Sequence, residues 1–207
     1  MASQVGIANR ALTKLGSARI TQLDEDSKAA ATIASMYDDV LDACLSEHIW
    51  AFAKARAQLA ALADAPLFGF EFQYRLPADY LRMLQVGQFL IYPKMDTRGL
   101  YSIEGGNLLT DLSAPLFLRY TKRVTDPNAM HPLFREVFAC RLAAEGCEAI
   151  TQSSTKKQAA WAEHDRAIAQ AVRVNAAERP SQPIGDDTWL ESRTGTREWG
   201  AARIIRS

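Results

Sequence analysis

The side chains of this chain that could carry chemistry are three histidines, three cysteines and a few carboxylate pairs. A histidine can move a proton near neutral pH. His48, His131 and His164 are scattered along the sequence. His48 falls where a helix should end, which suits a partial positive charge. Cysteine thiolates act as nucleophiles or metal ligands. Cys44, Cys140 and Cys147 lie inside helical patterns, and Cys140 and Cys147 stand one heptad apart with no histidine at metal-ligand spacing. They read as buried, reduced thiols. Glu145 with Glu148, and Asp38 with Asp42, sit at helical-neighbour spacing. Such pairs form a solvated face, whereas a glycosidase pair needs a cleft between its carboxylates. Glu104-Gly105-Gly106-Asn107 has the composition of a hairpin turn rather than of a phosphate cradle. The sequence contains no nucleotide-binding loop, zinc signature or nucleophile elbow. The residue types therefore point to no catalytic residues, no metal and no cofactor, and the expectation is a protein that is not an enzyme.

The elements around these residues begin with a helix at 4–15. Val5, Ala8, Leu12 and Leu15 make its stripe, and Gly16 stands where a left-handed C-terminal residue belongs. Ile20 and Leu23 anchor a short extended connector. The longest well-patterned segment is 27–52, and the rest of the chain is expected to pack around it or hang off its ends. Ile33, Met36, Tyr37, Val40, Leu41, Cys44 and Leu45 recur at spacings of three and four. Asp24 or Ser27 can cap its start. Trp50 and Phe52 are expected to fill the core where the chain turns away.

Residues 53–65 are Ala-rich and support two readings, a strand in the first half or a helix. Residues 70–76 alternate apolar and polar, the period of a half-buried strand. Pro77-Ala78-Asp79-Tyr80 is a turn or a single helical turn. Strands follow at 81–86, 90–93, 100–103, 108–111 and 116–121, so 51–125 reads as a β-rich insert. Pro132 opens a third helix bearing Phe134, Val137, Phe138, Leu142 and Ile150. Ser153-Ser154 breaks it. A fourth helix at 156–177 carries Ala160, Trp161, His164, Ile168 and Val172, and the two form an antiparallel hairpin.

At 207 residues, one domain is expected, with room for a real core. Apolar residues make up 48% and charged residues 23%, ordinary for a folded soluble protein. The formal net charge is zero, which argues against a dedicated nucleic-acid binder. No apolar run approaches the roughly 18 residues of a membrane span. The opening residues lack a signal peptide's apolar core and cleavage site, so the expected compartment is a cytoplasm. From Glu178 onward Pro, Gly, Ser, Thr and Asp recur without periodicity. Yet this tail keeps Trp189, Leu190, Trp199, Ile204 and Ile205. Arg193, Arg197, Arg203 and Arg206 against Glu198 leave its last fifteen residues basic by three charges. Apolar anchors among arginines imply a docking segment that matches an acidic groove.

One ordered set of motifs carries a resemblance. Asn9, Leu12, Leu15 and Gly16 form an N-x-x-L-x-x-L-G helix end, followed by I-x-x-L-D-x-D at Ile20, Leu23, Asp24 and Asp26. A long helix then ends in His48-Ile49-Trp50-Ala51-Phe52-Ala53. An aromatic strand runs into Leu-Pro-x-Asp at Tyr74-Arg75-Leu76-Pro77-Ala78-Asp79-Tyr80-Leu81. In order and type, residues 4–175 resemble the tail tubular protein A family, the head-to-tail adaptors of short-tailed phages. Residues 87–115 match no pattern of that family. The resemblance implies a mainly α fold: an antiparallel bundle of about four helices (4–15, 27–48, 132–153 and 156–177) with a β-rich insertion at 51–125. These make an adaptor domain at 1–178 with an extended C-terminal tail at 179–207.

It further implies a structural virion protein of the phage tail or neck, made in the host cytoplasm and assembled as a ring, expected to be a dodecamer. The ring would join the portal protein to the tail tube or nozzle protein. It would help retain packaged DNA and take part in genome ejection. DNA would pass through its lumen without sequence-specific recognition, and no membrane is involved. Trp189, Leu190, Arg193, Arg197, Trp199, Arg203, Ile204, Ile205 and Arg206 become the expected portal-binding residues. Two rivals come from other classes: a virion-associated peptidoglycan hydrolase, and a helical scaffold or regulator unrelated to virions.

Overall fold

A computed structural model describes residues 1–91 and 99–178. Four helices and two antiparallel sheets make up the described chain. Helix α1 spans Gln4–Leu15. The Ser3 hydroxyl accepts the Gly6 N–H at 3.0 Å and caps its start. Gly16, at φ 69°, ends it in the left-handed conformation that costs glycine least. Helix α2, Lys28–Glu47, is capped by Ser27 rather than Asp24, through the Ala30 N–H at 3.2 Å. Its apolar face, Ile33, Tyr37, Val40, Leu41, Cys44 and Leu45, is buried.

Helix α3, Pro132–Thr151, and helix α4, Ser154–Ala177, are joined through Gln152 and Ser153. Gln152 takes the left-handed conformation at φ 54°, and Ser153 caps α4, so the break falls one residue earlier than the serine pair implied. The expectation that α2 organises the molecule is corrected here, because α3 packs against all three other helices. Its buried residues include Phe134, Val137, Phe138, Cys140, Leu142, Ala144 and Cys147. A helix buried on several sides shows no single stripe, which is why its centrality escapes a periodicity argument.

After α2 the chain makes a single 3-10 turn, Ala51–Ala53. Trp50 is 2% exposed, its indole N–H donates to Cys44 O at 2.9 Å, and its ring meets Phe134 edge-on. Phe52 packs on the same cluster. The strand reading then holds for the first half of the Ala-rich segment. Strand β1 is Lys54–Leu59, followed by β2 Phe72–Arg75, β3 Tyr80–Val86, β4 Phe89–Leu90, β5 Ser102–Glu104, β6 Asn107–Thr110 and β7 Leu116–Lys122. Gly105 and Gly106, both at positive φ, form the turn between β5 and β6.

The strands order as β1-β7-β3-β4 in one sheet and β2-β6-β5 in the other. Strand β1 pairs antiparallel with β7 from Lys54↔Thr121 to Leu59↔Leu116, so the insert's two ends close on each other. Tyr74, Leu76, Met83, Val86, Leu108, Leu116, Leu118 and Tyr120 form a second core among the strands.

This second core overturns the mainly α bundle. The described residues are 46% helical and 20% strand in two antiparallel sheets, a mixed α and β fold. The physical reason is that the strands of 51–125 do not decorate a helical core. They bury Tyr74, Leu108 and Val86 completely among themselves and form a layer of their own. The helix bounds differ from 4–15, 27–48, 132–153 and 156–177 by no more than two residues at either end.

Candidate functional site

Each histidine is tied to local structure. His131 accepts the Leu133 N–H through Nδ1 at 3.2 Å and so caps α3. His48 lies edge-on to Trp50 and 3.1 Å from the Asn175 amide. His164 is buried beneath Trp161, with neither ring nitrogen hydrogen-bonded. All three cysteines are buried and unpaired by disulfides. Burial pushes the Cys44 thiol up to about 12 and the Cys140 thiol to about 11, so both are protonated and unreactive at neutral pH.

Glu136, Cys140 and Glu163 bring their ligand atoms within 4.8 Å of one another, the one grouping among the described residues with metal-like geometry. The Lys14 ammonium already sits in it, 2.7 Å from Glu136 and 2.5 Å from Glu163. Arg10 also pairs with Glu136. Burial works against the Lys14 charge, but its bonds to the two carboxylates outweigh it and hold the lysine well above its ordinary pKa. A metal would have to displace that cation and deprotonate a buried thiol. The cluster is an ionic knot joining α1, α3 and α4.

The carboxylate pairs do the same kind of work. Asp38 and Asp42 on α2 grip Arg123 at 2.9 and 2.6 Å, tying the strand exit to the helices. Arg141 bridges Glu145 and Glu47, both at 2.8 Å, while Glu148 holds Lys157 at 2.6 Å. These are more than a solvated face, since Arg123, Arg141 and Lys157 each link separate elements.

The motif residues turn out to be joints. Asn9 Nδ2 donates to Ile20 O, and its Oδ1 accepts the Ile20 N–H, both at 2.8 Å. Leu12, Leu15 and Ile20 are buried around this clasp. Asp79 accepts the Tyr120 hydroxyl at 2.9 Å, and its carbonyl accepts the Arg123 N–H at 2.7 Å. One residue of equal weight was missed. Asn175, near the end of α4, accepts the Ala51 N–H at 2.7 Å and donates to Ile49 O at 2.9 Å. A buried asparagine in a polar helix gives no sequence signal until its partner, more than 120 residues away, is known.

The expected portal-binding residues, Trp189, Leu190, Arg193, Arg197, Trp199, Arg203, Ile204, Ile205 and Arg206, all lie outside the described residues. What is described is the place they depart from. Glu178 stands 3.6 Å from His131, beside the start of α3. At the loop 60–71, Leu67 and Phe68 are almost fully exposed. No helix among the described residues is long and apolar enough to cross a membrane. No family model matches this sequence, and no curated protein matches it either.

Proposed function

We propose that this protein is a head-to-tail adaptor, a structural subunit whose ring joins a portal to a tail tube and helps retain packaged DNA. The observation that carries the reading is the ordered set of motifs at Asn9–Gly16, Ile20–Asp26, Trp50 and Leu76–Asp79. Several of these residues hold joints of the fold, as Asn9, Trp50 and Asp79 do. Residues that fix the course of the chain are the ones by which a structural family would be recognised. Adjacent exposed Leu67 and Phe68 on the insert support a protein partner there, because large apolar side chains side by side mark interaction sites. In this arrangement the helices form the ring wall, the insert meets the tail protein and residues 179–207 run onto the portal. Ring contacts are heterologous and close by rotation.

Mixing the purified chain with the portal of the same genome tests the reading. A stoichiometric ring complex in sedimentation and electron microscopy is expected, together with the protein's presence in purified particles. Absence from particles and failure to bind portal would sink it. Zymography separates it from a peptidoglycan hydrolase.

A further inference from the structure

The outward face of the four-stranded sheet is laid out in rows across β1, β7 and β3. Lys54, Thr121 and Arg82 form one row, in which Thr121 is fully buried, and Arg56, Arg119 and Gln85 form the next. Gln58 and Phe117 continue it. The opposite face, with Ala55, Ala57, Leu118 and Tyr120, packs into the second core. The charged residues that these three strands place on this face are Lys54, Arg56, Arg82 and Arg119, with no Asp or Glu among them. The chain as a whole is neutral, with 24 acidic and 24 basic residues, so this face is a local excess hidden by the total.

Arg56 and Arg119 are direct cross-strand partners. Like charges placed opposite each other destabilise a sheet. Elsewhere Arg10, Arg123 and Arg141 each sit on a carboxylate. Neither the Arg56 nor the Arg119 side chain has a hydrogen bond or ion pair among the described residues. A hollow of about 230 Å³ lies here, lined by Arg56, Ala57, Gln85, Phe117, Leu118 and Arg119. Phe117 is 58% exposed. At the other end Arg82 donates to Ser46 O at 3.4 Å, so α2 approaches there and the open part of the face is the arginine pair with Phe117.

We propose that this sheet face binds the phosphate backbone of nucleic acid without reading its sequence. Paired guanidiniums match the oxygens of a phosphate, and an exposed ring beside them stacks on an unpaired base. A ligand that alternates anionic phosphate with aromatic base suits both groups, whereas an acidic protein surface would engage the arginines alone. The assignment stands on the strand register and is independent of the adaptor reading.

Fluorescence anisotropy of the full chain tests it, using labelled DNA of about 30 nucleotides, single-stranded and duplex, from about 50 to 200 mM salt. Wild type should bind both, with affinity falling as salt rises. Arg56→Ala with Arg119→Ala should lower affinity about tenfold at low salt and reduce the salt slope by about two, one for each lost phosphate contact. The pair Arg56→Gln with Arg119→Gln, which keeps the aliphatic stems, should bind as weakly and melt like wild type. Phe117→Ala should weaken single-strand binding more than duplex binding. The proposal is overturned if both arginine variants bind DNA like wild type, if wild type binds neither DNA at the lowest salt, or if it prefers polyglutamate to both. Unchanged single-strand affinity in Phe117→Ala overturns the stacking role.

Discussion

The side-chain amide of Asn9 pairs with the backbone of Ile20 in both directions, donating to its carbonyl and accepting its N–H at 2.8 Å each. An asparagine on α1 thus completes the backbone pairing that the extended connector cannot make alone. Asn9→Ala should cost about 1–3 kcal/mol for each buried group it orphans. Asn9→Asp retains the acceptor but turns a second oxygen toward Ile20 O, so it should also destabilise at neutral pH. Urea unfolding of both variants checks this, and wild-type midpoints would show that the clasp is idle.

Trp50→Ala should destabilise the fold by about 3–5 kcal/mol, as expected for truncating a buried indole. The ring fills the space among Phe134, Phe52 and His48, and its N–H satisfies the Cys44 carbonyl at the end of α2. Thermal melting reads the loss. A variant that melts like wild type but no longer assembles would move Trp50 from the core to an interface.

Local signals were legible where the physics is local. The C-terminal end of α1 follows from Gly16, the β5–β6 turn from Gly105-Gly106, and the burial of Trp50 from its place after an apolar stripe. The balance of the fold was not legible, because it rests on pairings far apart in sequence. Strand β1 is held by β7, and with alanines at its inward positions 55 and 57 the sequence left strand and helix both open there. Helix α3 is buried on several sides, so no single apolar stripe announces its central role. Of the candidate sites, the basic sheet face was invisible, since Arg56 and Arg119 become neighbours only through the β1–β7 register.

The Lys14–Glu136 knot predicts a pH dependence. Burial alone would raise the Glu136 pKa, but the hydrogen bond and charge of Lys14, with Arg10, more than reverse this and hold it below its ordinary value of 4.5. A carboxylate whose folded pKa is depressed contributes stability above its unfolded value and loses it as pH falls through the folded one. Glu136→Gln should therefore cost about 1.5–3 kcal/mol at neutral pH. The gap to wild type should narrow as pH drops below about 4.5 and close in stronger acid. A gap that stays constant down to pH 2 would show that packing, not charge, sets the cost of the substitution.

Removing residues 179–207 should leave the fold intact and abolish attachment to portal, if the adaptor reading is right. The first half of this expectation comes from α4. Its last anchoring contacts are those of Asn175 with Ile49 and Ala51 and of Glu178 with His131, and a chain ending at Glu178 keeps them all. The truncated subunit should therefore melt within a few degrees of the full chain. The second half comes from residue types. Trp and Arg are the side chains most enriched at binding hot spots, and 189–206 holds two tryptophans and four arginines. The segment's reach is ample, about 3.3 Å per residue when extended, or roughly 100 Å in all. Ordering so long a segment costs free energy, so affinity should concentrate in a few anchors. Trp189→Ala with Trp199→Ala should then reproduce most of the loss caused by the deletion. Portal binding by surface plasmon resonance measures both. If the truncated subunit docks with wild-type affinity, the attachment lies in the helices around α3.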